Sequence, residues 1–166
     1  MRASLIAAAA ALLSCAIAAE ASAQAVSIDR KQVSASAARK MVDACLAFAE
    51  KNNFLAGVAV VDIAGVLIDF HAMQGASPVL AETAILKAKT AAHWQRPTKA
   101  LEEDVNSLRN QASVWMNDFP KAGALPIVID GQVAGAIGVG SAQKQEECAQ
   151  AAIDAVIPKQ PVAAQR

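Results

Sequence analysis

The sequence predicts an α+β domain in which two β-hairpins form an antiparallel sheet with helices packed on it. Two segments carry that reading. Gly57 to Phe70 is a β-branched run, a turn at Gly65 and a second apolar run. Leu125 to Val139 repeats the pattern around Asp130-Gly131, a dipeptide that supplies the positive φ angles of a tight hairpin. The third observation is that amphipathic helical patterns fill the sequence before, between and after the hairpins, which gives the order α-β-β-α-α-β-β-α.

Each element has its own justification. Ser34 or Ser36 caps a first helix that runs to about Asn53, with Ala38, Met41, Val42, Cys45, Phe48 and Ala49 at helical spacing. After the first hairpin, Gln74-Gly75-Ala76-Ser77-Pro78 is a turn. A second helix then runs from Pro78 to Trp94, since proline at the first helical position sacrifices no hydrogen bond. Its apolar face is Ala81, Ala84, Ile85, Ala88 and Ala92, small residues suited to close packing on a sheet, and Lys87 and Lys89 are assigned to the solvated side. Pro97 ends this helix. Thr98 caps a short third helix with Glu102 and Glu103 near its start and Leu101, Val105 and Leu108 as its stripe. Residues 111 to 123 read as a loop. Ser141 caps a last helix over residues 142 to 157, with Cys148, Ala151, Ala152 and Ala155 facing inward. Within the second hairpin, the glycines of Gly135-Ala136-Ile137-Gly138-Val139-Gly140 mark a strand that another backbone or a ligand approaches closely.

Residues 1–25 carry a secretory leader pattern. Arg2 is followed by an apolar run from Leu5 to Ala19 and by small-x-small sites at Ala21-Ser22-Ala23 and Ala23-Gln24-Ala25. That run is shorter than the roughly 20 residues needed to span a bilayer. Two other readings are a retained anchor and a lipidation box at Leu12-Leu13-Ser14-Cys15. Residues 26–158 then form one domain, and residues 159–166 a disordered tail. Export places the protein in the periplasm or outside the cell. In such an oxidising compartment Cys45 and Cys148 are either bridged or two buried thiols. With 15 basic and 15 acidic residues there is no basic face for nucleic acid, and no segment beyond the leader spans a membrane.

No nucleophile elbow, phosphate loop or dinucleotide fingerprint is present. There is no tyrosine and no Cys-x-x-Cys-His. The two histidines, His71 at the end of the second strand and His93 at the end of the second helix, are candidate iron or zinc ligands, or else ordinary solvated side chains. Met73 lies beside the first and Trp94 beside the second. Trp115, Met116 and Phe119 cluster in the loop, where they suit a pocket for a flat apolar ligand, a subunit interface or a cover for the core. The acids at Asp62, Asp69 and Glu102-Glu103-Asp104 read as turn and helix-dipole chemistry.

Taken together, several runs resemble the GlcG/HbpS-like family, also called the haem-degrading or DUF336 family. They are Val58-Ala59-Val60-Val61-Asp62 with Gly65, Met73 with Gly75-Ala76, Lys87-Ala88-Lys89-Thr90-Ala91-Ala92 with Arg96-Pro97-Thr98, and Leu125 to Gly131 with Gly135-Ala136-Ile137-Gly138-Val139. The resemblance covers about residues 35 to 157. It implies a profilin-like fold, homo-oligomers and, for some members, haem. Where the family often carries Arg-Met-Asp-Gly, this chain has Ala72-Met73-Gln74-Gly75. The expectation is an exported haem-binding protein for sensing, storage or uptake. In it His93 or His71 ligates the iron, Met73 or Met116 is a weak second ligand, and Trp94, Trp115 and Phe119 cover the porphyrin. The alternatives are an enzyme that degrades haem and a cofactor-free structural or interaction module.

Overall fold

The structure, a computed structural model, describes residues 28–157. The leader expected over residues 1–25 and the tail expected over residues 159–166 lie outside the described residues. The elements are α1 (Ala35–Lys51), β1 (Ala56–Asp62), β2 (Leu67–Ala72), α2 (Pro78–Trp94), α3 (Thr98–Asn106), α4 (Ala112–Trp115), β3 (Ala124–Ile129), β4 (Gln132–Ser141) and α5 (Gln145–Val156). The expected order holds, with the single turn of α4 added inside the segment read as a loop.

The four strands form one antiparallel sheet in the order β2-β1-β4-β3. The two hairpins are joined through β1 and β4, which are therefore the central strands and the most completely buried. Pro126 lies in β3, an edge strand, where its missing N–H disrupts the least pairing. Both turns follow from their residues. Asp62 accepts hydrogen bonds through Oδ1 from the N–H groups of Ala64 and Val66, at 2.9 and 2.8 Å, which fixes the first turn. At the second, Asp130 and Gly131 have φ of 48° and 78°, the positive pair of a two-residue hairpin.

The two faces of the sheet differ in side-chain size. On one, Val58 pairs with Val139 and Val60 with Ile137. These large residues pack against Met41, Val42, Cys45 and Ala49 of α1 and against Cys148, Ala149, Ala152 and Ile153 of α5. Fully burying each such valine or isoleucine is worth about 1.5–3 kcal/mol. On the other face Gly57 pairs with Gly140, Ala59 with Gly138 and Val61 with Ala136. Among the described residues α2 covers this strip, through Ala84, Ala88, Ala91 and Ala92. A Cβ at Gly138 would run into the carbonyl oxygen of Ala84 and stand 2.5 Å from the nitrogen of Ala88. The backbone that approaches the glycine-rich strand is thus that of α2.

Three local expectations are corrected. Ser141 ends β4 and shares hydrogen bonds with Gln143 instead of capping a helix; α5 starts at Gln145, after Lys144 in the left-handed conformation. Its inward face is Cys148, Ala149, Ala152 and Ile153, in place of the expected Ala151 and Ala155. Thr98 opens α3, but its hydroxyl accepts the N–H of Ala124 at 3.0 Å and so ties α3 to β3. At the first helix, Ser34 is the cap, accepting the N–H of Ala37 at 3.2 Å.

Cys45 and Cys148 form a disulfide between α1 and α5 across 103 residues of sequence. Closing a loop of that length removes about 4.7 kcal/mol of unfolded-state entropy in the chain-entropy account. We expect the Cys45→Ala/Cys148→Ala chain to lose about 3–4 kcal/mol in urea unfolding, and non-reducing mass spectrometry to show the parent chain lighter by two hydrogens. We expect Gly138→Ala to cost about 1–3 kcal/mol through overpacking, read in the same unfolding assay; a neutral result would mean that α2 can lift off the sheet freely.

Candidate functional site

The C-terminal end of α2 carries the candidate site. Helical spacing places Lys89 and His93 one turn apart, and Trp94 follows. Asp118, three residues past α4, reaches both of the last two. His93 Nδ1 lies 3.0 Å from Asp118 Oδ1, and Trp94 Nε1 donates to Asp118 Oδ2 at 2.7 Å. An ionised carboxylate can only accept, so the ring proton of His93 is assigned to Nδ1. Nε2 is then the free donor atom, and among the described residues nothing hydrogen-bonds it. The Asp118 side chain is 5% exposed and that of His93 is 44% exposed: a buried carboxylate holds an accessible imidazole.

Two further contacts keep this arrangement in place. Asp118 donates its N–H to the carbonyl of Ser113 at 3.0 Å, and Phe119 donates its N–H to Thr90 Oγ1 at 2.8 Å. The first closes the segment back on α4, and the second pins it to α2 next to the carboxylate. From the other direction the first hairpin turn bends over α2. A Cβ at Gly65 would lie 3.2 Å from His93 Nε2 and 3.6 Å from Lys89 Cγ. Glycine at this position, with φ of 78°, lets the backbone of the turn come close to Nε2.

The residues singled out from sequence separate into two groups. His93, Trp94 and Phe119 come together around Asp118. Trp115 and Met116 belong to the same segment, 85% and 62% exposed, and with Val114 and Leu108 they present large apolar side chains to solvent. His71 and Met73 do not join them. In β2, Asp69 and His71 share a face, and Asp69 pairs with Arg39 of α1 at 2.9 Å. His71 is therefore on the α1 side of the sheet and His93 on the α2 side. Met73 packs against the core beneath α1. The two histidines cannot ligate one ion within a single chain.

Sequence reasoning missed Asp118, and Lys87 was misplaced. Asp118 is the only acid between Asp104 and Asp130, set among Trp115, Met116 and Phe119, and that isolation was the available signal. Lys87 is a correction: it is 5% exposed, not solvated. It lies three residues from Ala84 and four from Ala91, on the buried stripe of α2. Its amine donates to the carbonyl of Val139 at 3.3 Å and to Gln145 Oε1. Burial pulls its pKa down from 10.5 to about 8, with the charge of Glu102 opposing and that of Lys121 adding to the fall. Lys89, by contrast, is exposed as expected.

Elsewhere, a cleft of about 230 Å³ is lined by Lys99, Ala122 and residues 143–147. Burial raises the Glu146 carboxyl there, against the opposing charge of Lys99. No group of three or more His, Cys, Asp or Glu side chains that could hold a metal ion occurs among the described residues. No helix among them is long and apolar enough to cross a membrane.

Comparison with known proteins gives consistent relatives. Residues 33–156 match a family model described as haem degrading protein HbpS-like. GlcG of Escherichia coli K12 is 38% identical over 91 residues, which cover 55% of this chain and 68% of GlcG. A double mutant of Streptomyces reticuli HbpS has the same fold, with a TM-score of 0.70 and 27% identity over 81% of this chain and 92% of that one. PduOC, solved as a complex with haem, has a TM-score of 0.70 at 23% identity over 76% of this chain and 96% of its own.

The buried lysine gives a prediction whose sign is fixed. Its folded pKa lies below its unfolded value, so between pH 8 and 10.5 the unfolded chain binds more protons and stability rises with pH. Relative to Lys87→Met, the parent chain should gain on the order of 2 kcal/mol across that window, measured by urea unfolding at each pH. Parallel curves would mean that the amine is hydrated in the folded protein.

Proposed function

Because the chain belongs to the family described as haem degrading protein HbpS-like, we propose that it binds haem with His93 as the iron ligand. The observation that carries the reading is the buried Asp118 carboxylate on Nδ1 with Nε2 left unpartnered. Ligating imidazoles are ordinarily held in this way, with the second nitrogen donating to a carboxylate that fixes the tautomer and the ring orientation.

The donor set fits haem better than a bare ion. A structural or catalytic zinc site draws three or four ligands from the protein, and no cluster of that kind exists among the described residues. Haem brings four equatorial nitrogens and asks the protein for one axial ligand and an apolar surround. The exposed Val114, Trp115 and Met116, on the segment that leads to Asp118, are the candidate surround. Met116 is a candidate second ligand, and Trp94, Trp115 and Phe119 are candidates to cover the ring. Bound haem would supply a redox-active iron centre. PduOC, which shares the fold, was solved with haem, and this supports the reading without assigning the residues. The leader pattern and the buried disulfide support export to an oxidising compartment.

The test is a haemin titration of the chain from residue 26 onward, followed by its Soret band. The parent chain should show a saturable, stoichiometric shift. His93→Ala should weaken binding by at least about tenfold with unchanged circular dichroism, and His71→Ala should leave it unaltered. A parent spectrum no different from haemin with an unrelated protein would overturn haem binding. An unchanged His93→Ala titration would overturn the ligand.

A further inference from the structure

We propose that Lys87 is the nucleophile of a second site, reached through the cleft at the start of α5, where it takes up a small 2-oxo acid as an imine. The proposal is independent of haem, and its test uses none.

The cleft holds about 230 Å³ and is lined by Lys99, Ala122 and the segment from Gln143 to Glu147. That is less than the volume of pockets for drug-sized ligands, so it suits a small molecule. Gln145 links it to the interior. Its side chain lines the cleft, and its Oε1 accepts from the nearly buried Lys87 amine. Its Nε2 donates to the carbonyl of Ser141. Gly123 makes the room for this amide, since a Cβ there would collide with Gln145 Oε1. One side chain therefore separates the amine from the cleft, and a turn of that side chain uncovers it.

The amine has no carboxylate partner among the described residues. It donates to the carbonyl of Val139 at 3.3 Å and to the Gln145 amide. The charges that face it are those of Glu102 and Lys121, which pair with each other. Burial without a counter-ion favours the neutral amine, so that about half of it is neutral at about pH 8. The neutral amine is the nucleophile, and buried lysines serve in this way because their charge is easily lost.

The step balances without an oxidant or reductant. The nitrogen attacks the keto carbon, a C–N bond forms, and the carbonyl π pair moves to oxygen. Both hydrogens of the neutral amine leave with that oxygen as water, and a C=N bond joins the acid to Nζ. The substrate's carboxylate has its own partners in the cleft: the Lys99 ammonium and the first N–H groups of α5, which lack intrahelical acceptors. Glu147 opposes an anion there. Glu146 opposes it less, because burial raises its carboxyl toward the neutral form.

The experiment incubates the parent chain with pyruvate and cyanoborohydride, which reduces the imine to a stable carboxyethyl-lysine, and maps the adducts by peptide mass spectrometry. Lys87 should be labelled, saturably in pyruvate, at least about tenfold faster than the exposed Lys89. Gln145→Ala should speed the labelling by uncovering the amine. Gln145→Glu should slow it, because a carboxylate holds the amine protonated. Acetone, which lacks the carboxylate, should label Lys87 more slowly than pyruvate, and Lys99→Ala should narrow that difference. Adducts spread evenly over the exposed lysines, or a Lys87 left unmodified in both the parent and Gln145→Ala, would overturn the imine. Faster labelling in Gln145→Glu than in the parent would overturn the role of the amide. Acetone reacting as fast as pyruvate would overturn the 2-oxo acid as the ligand class.

Discussion

Helix α2 lies against the sheet because Gly57, Ala59, Gly138 and Gly140 place almost nothing in its way. The approach is close enough that a single added methyl group at Gly138 would collide with the helix backbone. The position of everything α2 carries is fixed by that contact. It sends Lys87 inward to Val139 and Gln145, aims Thr90 at the backbone of Phe119, and brings His93 beneath the turn at Gly65. A helix separated from the sheet by larger side chains would have more latitude to shift.

The opposite face uses the ordinary means. Large aliphatic side chains from β1 and β4 meet two helices, and a disulfide joins those helices to each other. Most of the hydrophobic stabilisation is therefore concentrated on the α1/α5 side, while the α2 side trades side-chain volume for close approach. The division of labour explains why a lysine with no carboxylate partner can be tolerated beneath α2: its amine finds a carbonyl and an amide oxygen, at the expense of part of its charge near neutral pH.

The fold was legible where local chemistry decides it. Asp130-Gly131 announces its turn, Pro78 its helix start, and the alanines of α2 their close packing. Boundaries set by tertiary contacts were harder to read. Thr98 has a capping residue's side chain, but its hydroxyl is used by β3, and Ser141 is absorbed into the end of β4. The site was half legible. His93, Trp94, Trp115, Met116 and Phe119 were visible as residue types suited to a flat apolar ligand. Asp118 was not, because its role depends on a loop folding back 24 residues to α2, which no short-range pattern encodes. His71 looked equivalent to His93 in sequence, and only strand parity separates them, since one residue's shift along β2 reverses the face. Lys87 shows the reverse error: its charge outweighed its spacing in the reading, although the spacing was right.

The covalent link between α1 and α5 also bears on how the domain can be held. These are the first and last helices among the described residues, and both lie on the layer opposite α2. The chain thus enters and leaves the domain through one stapled layer, with the sheet standing between that layer and His93. Within the described residues, the covalent constraint and the His93 imidazole therefore sit on opposite sides of the sheet.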